Sequence, residues 1–162
     1  MTLRAGDKIP EVTLTIMGAN GPEPVKTGDY FKNRKVVLFS VPGAFTPTCH
    51  KVHLPGFVAH ADEIKKHGVA AVAVIAVNDC FVMDAWLASL GAKGKVDGLA
   101  DGSGEFAKAT GTQIDLAAHG LGGRSLRYAA VVADGVVTWV GTEENSSQAT
   151  VSSAESVLKH LA

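Results

Sequence analysis

Apolar residues along this chain gather in short continuous runs more than in strict alternation. Val36 to Val41 (VVLFSV) is mostly apolar, with Arg34-Lys35 before it and Pro42 after it. A run of that kind suits a parallel strand buried on both faces. Val69 to Val77 is a second such run, too short to cross a membrane. Between them the period changes. Residues 48–67 carry Val52, Phe57, Ala61 and Ile64 at helical spacing and close on Lys65-Lys66-His67-Gly68, a cationic last turn with a glycine stop. Pro55 falls inside that helix and predicts a kink or a local opening. Asn78 or Asp79 then stands where it can cap a helix, FVMDAWLASL, that ends at Gly91. Tyr128 to Ala133, Asp134-Gly135 and Val136 to Val140 form the clearest hairpin signal. A last helix is expected near Ser152, where Ser152-x-x-Glu155 has the form of a capping box. Strands alternating with helices, plus one hairpin, predict an α/β fold with a central mixed sheet flanked by helices. Neither an internal repeat nor a long linker divides residues 1–162, so one domain is expected.

Composition narrows the classes of partner. With 46% hydrophobic and 19% charged residues in 162, the chain reads as an ordinary soluble globule. Fifteen basic residues against sixteen acidic ones give a net charge of −1, without a basic stripe for nucleic acid. The opening MTLRAGDKIP lacks the apolar core of a signal peptide, and no run is long enough for a membrane span. Two cysteines are too few for a disulfide scaffold and suit a reducing compartment, so a cytoplasmic location is expected.

Candidate chemistry centres on Cys49, in the stretch SVPGAFTPTCHKVHLPGF. Cys49 follows the first buried strand by a short loop and enters the first turn of the next helix. Ligands of open α/β sheets gather at the carboxyl ends of strands, and a helix N-terminus favours a thiolate over a thiol. Pro42 and Pro47 fix two backbone angles of the loop, and Thr46 lies one helical turn before the sulfur. These residues describe an activated nucleophile; an inert buried cysteine is the plainer alternative. Thr46 occupies the place of the first cysteine of a Cys-x-x-Cys pair, which removes a local dithiol. Cys49, His50 and His53 make a poor zinc set, because neighbouring side chains on a helix diverge and no fourth ligand is evident. No metal or cofactor is therefore expected. His50 reads as a solvated helix residue, and His53 as a group behind the loop that orients it.

The segments VPGAFTPTC and HLPGF resemble the active-site stretch of the peroxiredoxins, within them the atypical type-five and plant type II group. VNDCFVMDAW, LADGSGEF, GLGGRSLRYAAVV and DGVV resemble the same group in the same order, so the likeness runs from about residue 3 to the end. This resemblance implies a thioredoxin-like fold and a thiol peroxidase acting on hydrogen peroxide and alkyl hydroperoxides. It implies that Cys49 is the peroxidatic cysteine and that Pro42 shields its pocket. It also implies that the Thr46 hydroxyl meets both sulfur and peroxide, and that Arg127 stabilises the thiolate. Arg127-Tyr128-Ala129-Ala130-Val131-Val132 matches the family pattern R-[FY]-x-x-V-V; Arg124 is a second candidate. An ordinary cysteine titrates near 8.5, so such help is needed at neutral pH.

The sequence also departs from the family. No cysteine stands near the C-terminus, where Ser147 to Ser153 reads SQATVSS, and Val74 occupies the place of the second plant-type cysteine. Cys80 lies beyond Asn78-Asp79, either as a small buried apolar residue or as a resolver that needs loop movement to reach Cys49. An external thiol (glutathione, glutaredoxin or thioredoxin) is the expected reductant. The resemblance also implies a homodimer formed through the segments Pro42 to Phe45 and Asn78 to Phe81, with Phe45 and Phe81 as aromatic anchors. Two other functions use the same fold: a redox relay to a partner protein, and a non-catalytic interaction or holdase module.

Overall fold

The two continuous apolar runs become adjacent central strands, because each buries both of its faces. The computed structural model describes residues 2–161. A hairpin of β1 (Thr13–Gly18) and β2 (Gly21–Lys26) leads through α1 (Thr27–Phe31) into β3 (Lys35–Ser40). One turn of π-helix, Cys49–His53, runs into α2 (Leu54–Lys65), followed by β4 (Ala71–Ala76), α3 (Cys80–Ser89), β5 (Asp97–Ala100) and α4 (Glu105–Ala109). The chain finishes with β6 (Gln113–Leu116), β7 (Gly122–Ser125), β8 (Tyr128–Ala133), β9 (Val136–Thr142) and α5 (Ala154–Leu161). Seven strands form one sheet in the order β2-β1-β5-β4-β3-β8-β9, and β6 pairs with β7 apart from it. The β3–β4 and β4–β5 pairs are parallel and the others antiparallel, which makes the sheet mixed.

Alternate side chains of the central strands feed two cores. Val37 and Phe39 of β3, Val72 and Val74 of β4, and Ala129 and Val131 of β8 face one side, with Leu54, Phe57, Ile64, Met83, Trp86 and Val157 from α2, α3 and α5. Val36, Leu38, Ala73, Ile75, Ala130 and Val132 face the other, with Phe31 of α1 and Phe106 of α4. Helix α2 is fixed to the sheet by Phe57, whose ring stacks on Phe39 with centroids 4.0 Å apart. Truncating a buried phenylalanine such as Phe57 to alanine costs about 3–5 kcal/mol.

The expected hairpin forms, with Asp134 (φ 48°) and Gly135 (φ 77°) supplying the left-handed pair of a type I′ turn. Asp79 caps α3 by accepting from the Val82 N–H at 2.8 Å. Pro55 acts as expected, through a local opening. It has no N–H to give to the helix, and just before it the Leu54 N–H reaches back five residues to the Cys49 carbonyl, the bond of a π-turn.

The capping box at Ser152 does not form. Helix α5 starts at Ala154, and the Ser153 hydroxyl receives the Ser156 N–H at 3.2 Å. Ser152 is buried and donates its hydroxyl to Glu143 at 2.6 Å, a stronger partner than a free helix N–H. The β1–β2 hairpin is the largest element without a clear sequence signal. Pro22 and Pro24 break the strand pattern of β2, and they are tolerated because β2 is an edge strand.

Candidate active site

Register places the cysteine and the arginine together. β8 runs antiparallel to β3 with Tyr128 opposite Ser40, so Arg127 lies at the carboxyl end of β3, where the loop to Cys49 begins. The Ser40 hydroxyl lies 2.8 Å from the Ser125 hydroxyl and donates to the Leu126 carbonyl at 2.9 Å, which pins the chain just before Arg127.

The loop is held along its length. The Arg124 guanidinium donates to the Pro42 carbonyl at 3.3 Å, the Ala44 N–H donates to Asn78 Oδ1 at 3.0 Å, and the Thr48 hydroxyl donates to the Ser147 carbonyl at 2.7 Å. Phe45 adopts φ 65°, a conformation costing a bulky residue on the order of 1–3 kcal/mol. Its ring stacks on His50 with centroids 5.6 Å apart, which helps to hold the turn.

Cys49 is fully buried, with two polar neighbours on its sulfur. Thr46 Oγ1 lies 2.9 Å from Sγ and 2.7 Å from the Gly43 carbonyl oxygen. A hydroxyl has one proton, so it serves the carbonyl when the sulfur is a thiol and can turn to the sulfur when it is a thiolate. Arg127 Nη2 donates to Sγ at 2.9 Å. Its remaining groups donate to the Ser146 carbonyl at 2.9 Å and to His53 Nδ1 at 2.8 Å. Arg127 is only 2% exposed and forms no ion pair with a carboxylate among the described residues. A buried cation without a counter-ion costs several kcal/mol, and negative charge on Sγ is the compensation within reach.

Behind Arg127 the bonds close into a ring. His53 Nε2 faces the Ser152 carbonyl at 2.8 Å, so Nε2 carries the proton and Nδ1 accepts from Arg127. Burial, and then the Arg127 guanidinium, lower the His53 pKa from 6.5 to about 3. The Ser152 N–H and hydroxyl donate to Glu143 Oε2, Thr150 donates to both carboxylate oxygens, and the Glu143 N–H returns to the Arg127 carbonyl at 3.0 Å. Burial opposes ionisation of Glu143, but the hydrogen bonds from Ser152 and Thr150 outweigh it and leave the carboxyl below the ordinary range.

The structure brings Thr46 and Arg127 onto the Cys49 sulfur, and His53 stands behind Arg127. Pro42 is buried at the start of the loop, where its carbonyl is held by Arg124. Arg124 makes no bond to the sulfur; it braces the loop. His50 differs from expectation. It is half-buried, and its Nδ1 accepts from the Trp86 indole at 3.1 Å, because α3 lies against the loop. With both nitrogens of His53 and Nδ1 of His50 engaged, these rings are poorly disposed to share a metal ion. Cys80 is the first residue of α3 and is buried; it lines a cavity of about 130 Å³ with Met17, Asp84 and Lys93, and Cys49 is not on that wall. Glu143 carried no sequence signal and Ser152 signalled only a helix cap, since their pairing depends on how the segment after β9 folds back.

The described residues match known proteins over nearly their whole length. A family model described as Redoxin matches residues 4–158. Peroxiredoxin-2E, chloroplastic, from Arabidopsis thaliana is 43% identical over 164 residues, spanning 99% of this chain and 70% of that protein. The hybrid peroxiredoxin hyPrx5 of Haemophilus influenzae is 38% identical over 164 residues, spanning 100% of this chain and 68% of that protein. The crystal structure of reduced Prx3 from Vibrio vulnificus in complex with hydrogen peroxide has a TM-score of 0.95 at 42% identity, covering 99% of this chain and 100% of that one. Fold and relatives together define a thiol-dependent peroxidase built on a thioredoxin-like sheet. The chain belongs to the redoxin family and is a peroxiredoxin.

Proposed function

We propose that Cys49 is the peroxidatic cysteine, that Thr46 and Arg127 activate it, and that a thiol from outside the chain completes the cycle. The observation that carries this reading is the pair of 2.9 Å contacts on Cys49 Sγ, one from Thr46 and one from the buried Arg127. The thiolate attacks one oxygen of hydrogen peroxide or an alkyl hydroperoxide. An S–O bond forms, the O–O bond breaks, and the leaving oxygen departs as hydroxide or alkoxide, which then takes a proton. Arg127 remains charged throughout and offers donors to both sulfur and leaving oxygen, while the Thr46 hydroxyl holds the peroxide. Pro42 limits the room beside the sulfur.

The sulfenic acid left on Cys49 is reduced by glutathione with glutaredoxin, or by thioredoxin. Cys80 supports this reading, because it opens onto a separate cavity. Cys49 is fully buried, so disulfide exchange requires loop 42–48 to shift, and the strained turn at Phe45 favours that movement. A second copy of this chain covers Phe45, 49% exposed on the Cys49 loop, and Phe81, 63% exposed in the first turn of α3, two sites brought near each other by the Ala44–Asn78 hydrogen bond. The protein works in the cytoplasm, a reading supported by its having two cysteines that do not pair with each other.

Peroxide consumption with glutathione plus glutaredoxin, compared with thioredoxin plus its reductase, tests the cycle. Turnover with either system, retained in Cys80→Ser, supports it. A Cys49–Cys80 disulfide in the mass spectrum, with turnover lost in Cys80→Ser, overturns external resolution. A monomer at micromolar concentration by sedimentation overturns the dimer.

A further inference from the structure

A cavity of about 320 Å³ opens beside the Cys49 loop, within the size range of small-molecule sites, which begins near 300 Å³. Its walls include Val77 at the end of β4, Ser103, Gln113 and two cations, Lys108 of α4 and Arg124 of β7. No carboxylate lines it among the described residues. Among the described residues Lys108 has no ion pair, and the Arg124 guanidinium donates only to the carbonyls of Leu121 and Pro42. Two cations without counter-ions over a pocket that also offers an amide and a hydroxyl select an anionic, peptide-like ligand.

Arg124 joins the cavity wall to the loop that carries Cys49, through its bond to the Pro42 carbonyl. A Cβ added to Gly43 would lie 2.8 Å from Arg124 Nη1 and 3.1 Å from Thr46 Cγ2, so Gly43 is packed between the cavity wall and the residue that touches Sγ. A ligand anchored on Arg124 and Lys108 therefore lies against a residue that holds this loop, and meets Cys49 once the loop shifts.

We infer that this cavity is the docking site of the reducing thiol, and that it takes a small carboxylate-bearing peptide thiol of the glutathione class. The inference rests on the proposed peroxidase cycle and adds a site to it. Glutathione carries a carboxylate at each end and its thiol in the middle, which suits a wall bearing two cations, one of them bonded to the Cys49 loop. The thiol sulfur attacks the sulfenic sulfur of Cys49. An S–S bond forms and the S–O bond breaks; the hydroxide released takes up the thiol proton as water. A second thiol then exchanges with that mixed disulfide and returns Cys49 to the reduced state.

S-methylglutathione, which cannot react, is titrated into the full-length reduced protein and followed by amide chemical shifts. Shifts clustered at Ser103, Lys108, Gln113 and Arg124, lost at higher salt and in Lys108→Glu, are the expected result. In parallel, protein oxidised with one equivalent of peroxide is reduced by glutathione or by the uncharged 2-mercaptoethanol. The ratio of the two rate constants should fall roughly 2–5-fold in Lys108→Gln and further in Lys108→Glu. An unchanged ratio, or S-methylglutathione shifts elsewhere or absent, overturns the docking site while leaving the peroxidase reading in place. A defect confined to carboxylate-bearing hydroperoxides assigns the cavity to the oxidising substrate and also overturns it. Failure of Cys49 to oxidise at all refutes the peroxidase reading itself, and the non-reactive titration still decides the site.

Discussion

His53 Nδ1 accepts a hydrogen bond from Arg127 Nη1 at 2.8 Å, and its Nε2 meets the Ser152 carbonyl at 2.8 Å. The imidazole is therefore neutral when the site is intact, with its pKa lowered from 6.5 to about 3 by burial and by the guanidinium. An unfolded chain takes up this proton as pH falls through 6.5, and the folded chain does so only near 3. The folded state consequently holds its full stability above 6.5 and loses it progressively as pH falls toward 3.

At about pH 5 this histidine alone removes about 2 kcal/mol. His53→Gln keeps an acceptor for Arg127 and has no proton to gain. Urea unfolding should show the parent losing that stability between about pH 7 and pH 5, and the variant losing much less. Glu143 also destabilises the fold on acidification, since its pKa is lowered, but its range begins below 4.5. Equal slopes for parent and variant would contradict a neutral His53 behind the arginine.

Arg127 serves three acceptors with one planar group: Sγ of Cys49, Nδ1 of His53 and the Ser146 carbonyl. Lysine cannot reproduce that fork, so Arg127→Lys should slow peroxide attack even though it keeps the charge. Arg127→Ala should slow it further, because the donor to Sγ is lost. Arg124→Ala should do less than either, because Arg124 touches the loop and not the sulfur. Stopped-flow oxidation separates these cases; equal slowing in the Arg124 and Arg127 variants would put the assignment of Arg127 in error.

Thr46→Val preserves shape and removes the hydroxyl 2.9 Å from Sγ. Loss of one such transition-state donor costs on the order of 10²–10³-fold in rate. Thr46→Ser keeps the hydroxyl and should react nearly as the parent does. Parent-like kinetics in Thr46→Val would remove the threonine from the mechanism.

The parts of this fold that were legible in the sequence are those governed by local pattern. The apolar runs over β3 and β4 signal burial on both faces, Asp134-Gly135 signals its turn, and Thr46 and Cys49 are one helical turn apart by spacing alone. Arg127 was legible through the family resemblance, since 78 residues separate it from Cys49 and only the β3–β8 register unites them. Long-range polar pairs were not legible. Ser152 resembles a helix cap in sequence, yet Glu143, nine residues away across a folded-back segment, takes its hydroxyl. His50 resembles a solvated residue, yet the Trp86 indole reaches it from the next helix. Nothing local in either case announces the partner.

Whether Cys49 is the peroxidatic nucleophile is decided by the fate of its sulfur. Reduced protein, Cys49→Ser and Cys80→Ser are each treated with one equivalent of hydrogen peroxide and excess glutathione, then examined by intact mass and peptide mapping. The parent and Cys80→Ser should carry one glutathione adduct, on Cys49, which added glutaredoxin removes, and in a separate assay with excess peroxide, glutathione and glutaredoxin they should turn over catalytically. Cys49→Ser should remain folded and unmodified and should not turn over, because a serine hydroxyl is far too weak an acid to supply the nucleophile. Peroxide turnover surviving in Cys49→Ser would contradict the account.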